Sequence, residues 1–430
     1  MRRIAALAMF VSLCSARLYP ETQTDSTRLH DLHAKAAAAV ERSDYQTAIA
    51  LLTECRALAR TPLEIGLTSS ELGATLFRAN QLNEAKKWLE QARDIWTSTG
   101  EKFNRYARTT VILAEVQRSL GQYGAAEELL RDVLSRAPAA ADSSADDVEA
   151  HALALDDLAD MMREEGRAGE SRKLLIVAAG LPGVSWRRQL DSTLGLAQVD
   201  RDSHNWEDSI AEWNRVAEIS RAHNEPAFEA VANRGLGETW LDRGDPARAE
   251  PLLRSALDAF ETDETANMRQ IASTLTCMAQ LYLGENKLAM AEDALDNALK
   301  DDEKALGETH PQVAIVLEML GDTRSRLNHL DLARRDLDRA LQILAAAFGE
   351  ESPSYGAGLA TLGFIEQRAR NFSRAAELYQ KSMAAFVNSG PELAAFKLNV
   401  MRRYAEVLKA THHNQEAGAV MAQIKLFHTQ

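Results

Sequence analysis

The stretch Arg234–Gly244, "RGLGETWLDRG", places two glycines one residue apart, a spacing that cradles phosphate in some nucleotide-binding enzymes. A dinucleotide site also needs a third glycine and a preceding strand, and "GLGE" has neither. Histidines are the next candidates. His412–His413 is the only adjacent pair, and His30 and His33 stand at i, i+3. No cysteine or third histidine completes a metal set beside either, so both read as solvated surface positions. Asp156 and Asp160 share one helical face at i, i+4, which general acid–base chemistry could use only inside a pocket; on an open face they read as solvated carboxylates. The chain contains no HExxH, GxSxG, GxxxxGK[ST] or EF-hand spacing. These residues therefore imply no catalytic group, no metal and no cofactor.

What must position such residues is a repeat. The segments "LGETWLDRGDPARAEPLLRSAL", "LGATLFRANQLNEAKKWLEQAR" and "LGDTRSRLNHLDLARRDLDRAL" share one pattern of small and large apolar positions. Aligned over the chain it gives ten repeats. Each has a small residue on a second segment: Ala48, Ala85, Ala126, Ser171, Ser209, Ala249, Ala291, Ala333, Ala375 and Ala417. Twelve residues earlier stands another: Ala36, Gly73, Ala114, Ala159, Ala197, Gly237, Ala279, Gly321, Gly363 and Ala405. Four residues after the first set a large side chain recurs, from Leu52 and Leu89 to Tyr379 and Met421. Apolar residues three and four apart give each segment one buried helical face, and small residues at fixed points let two helix axes approach closely. Asn80, Gly121, Gly166, Gly244, Asn286 and Asn328 occupy the turn between segments, where a left-handed residue ends a helix. Each repeat is thus expected to be an antiparallel helix pair.

This pattern resembles the tetratricopeptide repeat from about Leu29 to Gln430, most closely around Gly237. From Ala249 onward the period is 42 residues, and the linkers "LGETHP" (Leu306–Pro311) and "FGEESP" (Phe348–Pro353) repeat with it. That form is similar to the kinesin light chain type. Gly307 and Gly349 are expected to end one helix, and Pro311 and Pro353 to start the next. The paired asparagines of that type are replaced by Thr276 and Cys277, Glu318 and Met319, and Ala360 and Thr361, so its peptide ligands do not carry over. The resemblance implies an all-α fold, a right-handed superhelical solenoid of about ten helix-turn-helix repeats.

Composition agrees with helix throughout. Apolar residues make up 46% of the 430, alanine is abundant, and glycine and proline are sparse. A net charge of −14 argues against nucleic-acid or anionic-membrane binding, and no long apolar run downstream of the N-terminus could span a membrane. Residues 1–16 read as a signal peptide, with Arg2–Arg3, an apolar run from Ile4 to Cys14, and small residues before a cut after Ala16. Export to the periplasm or outside the cell is the expectation. Leu13 disfavours lipid attachment at Cys14, the lipoprotein alternative, and the residues around Arg2–Arg3 do not complete a twin-arginine signal. Cys55 and Cys277 lie far apart and read as small buried residues, not a disulfide. A polar spacer covers 17–28, irregular repeats 29–223, and regular ones 230–430. Residues 135–150 ("SRAPAAADSSADDVEA") interrupt them as a loop or an extended helix start. Met421, Ile424 and Phe427 follow without a polar cap and suggest self-association through the last repeat.

In this fold the first helix of each repeat lines the concave side. Its outward positions form the expected protein-binding groove: Glu115, Arg118, Asp160, Arg163, Arg201, Arg234, Glu238, Leu241, Gln280, Glu318, Asp322, Phe364, Arg402 and Glu406. Glu115–Arg118 and Asp160–Arg163 could simply be intrahelical i, i+3 pairs. They could equally read a mixed-charge peptide, with Leu241, Leu283 and Phe364 as apolar anchors. The functional expectation is a non-catalytic scaffold that binds a protein or peptide. The alternative is an envelope-anchored adaptor or sensor subunit.

Overall fold

The computed structural model describes residues 23–100, 102–139, 142–386 and 393–427. The expected signal peptide and most of the spacer lie outside them. The described residues form twenty α-helices. They are α1 (Gln23–Glu41), α2 (Tyr45–Leu58), α3 (Pro62–Arg78), α4 (Leu82–Thr99), α5 (Phe103–Ser119), α6 (Tyr123–Ser135), α7 (Ala145–Glu164), α8 (Ala168–Ala179), α9 (Trp186–Asp202) and α10 (Trp206–Ala222). These are followed by α11 (Pro226–Asp242), α12 (Pro246–Glu261), α13 (Glu264–Gly284), α14 (Leu288–Leu306), α15 (Pro311–Arg326), α16 (Leu330–Phe348), α17 (Pro353–Arg368), α18 (Phe372–Ala385), α19 (Ala394–Ala410) and α20 (Asn414–Phe427). Odd-numbered helices are the first of each repeat and even-numbered helices the second. No described helix is long and apolar enough to cross a membrane. The chain divides into two compact units, Met1–Ile219 and Ser220–Gln430, with the boundary inside α10.

Every helix pair turns in the same way. The six expected Asn and Gly residues all have positive φ, and so do Ser43, His204, Arg370 and His412 at the same site in the other four repeats. The amide of the following residue then donates back five residues, as from Gln81 to Leu76 O (2.9 Å) and from His413 to Leu408 O (2.8 Å). This bond satisfies a carbonyl left orphaned at the helix end. Geometry therefore imposes the left-handed conformation even where the side chain disfavours it. Gly307 and Gly349 end α14 and α16, and Pro311 and Pro353 stand in the first turns of α15 and α17. His310 caps α15 by accepting the amide of Gln312 (3.1 Å). Of the 135–150 segment, Ala145 onward is helical, begun by a reciprocal capping box between Ser144 and Asp147.

All twenty small positions are buried. A methyl group built on Gly73, Gly237, Gly321 or Gly363 would strike Leu89, Leu253, Leu337 or Tyr379, the large residue of the same repeat. At Gly321 the approach would be 1.9 Å to Leu337 Cδ2. Close helix contact thus depends on this pairing of small with large.

Polar residues join one repeat to the next at a recurring place. The residue after the small one on a second helix meets the residue three after the small one on the following first helix. Lys86 Nζ donates to Gln117 Oε1 (3.4 Å), Arg172 Nε to Asp200 Oδ1 (2.6 Å) and Arg334 Nε to Glu366 Oε1 (2.8 Å). Between Glu292 and Arg324 the polarity is reversed (2.9 Å). At the C-terminus Ile424 is buried among Val400, Tyr404 and Leu408; Met421 packs against the same cluster, and the Phe427 side chain lies outside the described residues.

Candidate functional site

A cleft of about 340 Å³ opens in the second unit along three consecutive first helices, α15, α17 and α19. Glu318, Met319 and Asp322 come from α15, Ala360, Thr361 and Phe364 from α17, and Phe396, Asn399, Val400 and Arg403 from α19; Leu283 and Tyr379 complete it. The helix period explains the set. Glu318 and Asp322 stand one turn apart and flank Gly321, whose missing side chain seats α15 on Leu337.

The electrostatics of the cleft are uneven. Burial alone lifts the Glu318 carboxyl to about 7, with no neighbouring charge or donor to oppose it. Its Oε1 is buried and accepts no hydrogen bond. Burial also raises Asp322, opposed by the charges of Arg326, Arg368 and Arg403. Arg403 lies over the Phe364 ring, 4.2 Å from its centre. Burial raises the Tyr379 phenol, which donates to Gln367 Oε1 at 2.8 Å.

Of the groove residues expected from sequence, this cleft gathers Glu318, Asp322 and Phe364. The others lie elsewhere on the first helices. Glu115 is buried, while Asp160 and Arg201 are half-buried. Arg118 and Arg163 reach one repeat forward, Arg118 to Glu164 (3.3 Å) and Arg163 to Asp202 (3.6 Å). Arg234 bonds Glu238 (2.9 Å) and Gln270 (3.3 Å), and Glu238 also accepts the Cys277 thiol (3.4 Å). Leu241 packs against the core, whereas Gln280, Arg402 and Glu406 are exposed.

Sequence reasoning missed Arg403, Asn399 and Phe396. It counted outward positions on each helix alone, whereas a cleft between helices is lined by the two flanks that face each other. Two solvated readings are also corrected. His33 Nδ1 lies 2.7 Å from Glu71 Oε2; burial opposes its charge, yet contacts with Cys55 and Glu71 carry it to about 10. Asp156 accepts the Ser192 hydroxyl (2.7 Å) and faces Arg188 (3.4 Å), with burial lifting it to about 7. Cys55 and Cys277 are both buried as thiols. Among the described residues no cluster of His, Cys, Asp and Glu is arranged to hold a metal.

A tetratricopeptide repeat family model matches residues 64–139 and 270–346. No curated protein matches the sequence. Among solved structures, the apo form of RapI aligns with a TM-score of 0.57 at 13% identity, covering 84% of this chain and 97% of that one. A signal transduction ATPase with a tetratricopeptide repeat sensor from Pyrococcus horikoshii aligns at 0.56 and 12%, covering 97% of this chain and 62% of that one. BtubC from P. vanneervenii aligns at 0.47 and 21%, over 52% and 91%. The first two likenesses speak to the fold. The family match shows tetratricopeptide repeats in those two stretches, and the first two likenesses, the ten identical turns and the buried small positions show the same helix-pair fold through the described residues.

Proposed function

We propose that the protein is a non-catalytic scaffold that holds a partner protein or peptide against the first helices of its repeats, on the concave side of the solenoid. Tetratricopeptide repeats support a protein-interaction role. The observation that carries the finer reading is the cleft between α15, α17 and α19. It combines apolar walls with a few polar groups, the make-up of a recognition site. We also propose export, on the strength of Arg2–Arg3, the apolar run and Ala16; mass spectrometry should find Arg17 at the mature N-terminus, and a lipidated Cys14 would favour the anchored adaptor.

The test uses the full mature chain with a photo-crosslinker at Thr361, incubated with an envelope extract. One protein should crosslink reproducibly, and Phe364→Ala should abolish the crosslink while helicity is kept. Failure to crosslink any protein, or equal crosslinking by Phe364→Ala, overturns the reading.

A further inference from the structure

A second repeating contact passes between consecutive first helices. The residue three before the small position meets the residues five and nine before the small position of the next repeat. Ser70 pairs there with Thr109 (2.8 Å), Asp156 with Ser192 (2.7 Å) and Arg188 (3.4 Å), and Arg234 with Gln270 (3.3 Å). In repeat 8 the first residue is Glu318, and its counterparts in repeat 9 are Gly358 and Ser354. Gly358 offers no side chain. A methyl group built there would come within 2.8 Å of Glu318 Oε1, so the carboxylate rests against the space a hydroxyl fills in repeat 5. Glu318 Oε1 is accordingly buried without a donor, beside the cleft.

From this geometry we infer that the cleft receives a cationic side chain, lysine or arginine, from the bound partner segment, with its head on Glu318 and its stem along Met319, Leu283 and Phe364. This rests on the scaffold reading and adds the chemistry of one subsite. A buried carboxylate oxygen with no donor is satisfied best by a charged one. Asp322, one turn away, lies on the same wall, with its charge offset by Arg326, Arg368 and Arg403. Arg403, stacked on Phe364, acts with its charge on Asp322, whereas no cation opposes the burial of Glu318, so an incoming cation is directed there. An acidic side chain at that place would meet the Glu318 carboxylate, which no cation offsets. Burial has already carried Glu318 to about 7, as expected of an anion deprived of water and given no partner in return. The net charge of −14 draws basic segments toward the chain.

The experiment titrates the full chain with fluorescent heptapeptide pools whose flanks are randomised and whose central residue is lysine, arginine, norleucine, glutamine or glutamate. Lysine or arginine should bind about tenfold tighter than norleucine and glutamine, with glutamate weakest. Glu318→Gln, which preserves shape, should erase the preference. Gly358→Ser, whose hydroxyl takes the ligand's place on Glu318, should reduce it. If Gly358→Ser does not fold by circular dichroism, Asp322→Asn replaces it and should also weaken the preference. Equal binding of lysine and norleucine, equal binding of lysine and glutamine, no binding by any pool, or a preference that survives Glu318→Gln overturns the inference. Crosslinking at Thr361 that persists in Glu318→Gln, together with any of those results, removes this inference and leaves the scaffold reading standing. Loss of all crosslinking by the wild-type chain removes both.

Discussion

Repeats 4 and 8 carry acids at the same two places: Asp156 and Asp160 around Ala159, and Glu318 and Asp322 around Gly321. Burial lifts both Asp156 and Glu318 to about 7. Yet the two differ in what opposes that burial. Asp156 has the charge of Arg188 and the hydroxyl of Ser192; Glu318 has Gly358 and a cleft. A perturbed carboxyl is therefore not by itself a sign of function. In repeat 4 it belongs to a completed contact between helices. In repeat 8 the same contact is left open, and the opening is what makes the residue available to a ligand.

The largest expected effect tests the register on which this comparison stands. Gly321→Trp should cost about 3 kcal/mol or more, because even a methyl group there would strike Leu337. Thermal melting followed by circular dichroism would detect it, and an unchanged transition would break the alignment of the two repeats. Ser192→Ala should come next, at about 1 kcal/mol, since Asp156 would lose the hydroxyl that supports it. Carbon-13 titration should then place Asp156 above its present value near 7.

Glu318→Gln should act in the opposite direction, and with pH. The folded carboxyl sits near 7, above its ordinary 4.5, so the folded state holds the proton more tightly than the unfolded chain. The stability this confers is fully present below the unfolded value and is lost as pH rises through 7. The variant should therefore match wild type near pH 4 and melt higher at pH 8. A constant difference across that range would show that Glu318 has a hidden partner. The smallest effect is expected from Gly358→Ser, which recreates in repeat 9 the donor of repeat 5. Stability should change by about 0.5 kcal/mol or less, as Leu341 Cδ2 at 3.0 Å limits the gain. The informative readout is the Glu318 carboxyl, which should fall below 7 once it accepts a hydrogen bond.

Much of the architecture was legible in the residue pattern. Small residues twelve apart, with a large one four beyond, mark which faces meet, because only small side chains allow such close helix contact. The six Asn and Gly turns were legible for a similar reason, since those residues tolerate positive φ. The turns at Ser43, His204, Arg370 and His412 were not readable from their own side chains. There the packed helices on either side force the conformation, and the sequence signal is the register alone. The cleft was half legible: Glu318, Asp322 and Phe364 could be named as outward residues, whereas Arg403 and Asn399 depend on how α19 presents its flank to α17.

By itself, then, the sequence determined the helix pairs, their period and their buried faces. Those follow from side-chain size and backbone preference within about one repeat. Tertiary structure alone decided which polar residue meets which across neighbouring repeats: Arg118 with Glu164, Asp156 with Ser192, and Glu318 with nothing but Gly358. Such meetings join residues some forty positions apart, and whether a charge ends buried, paired or open depends on a few ångströms of helix placement that no local pattern encodes.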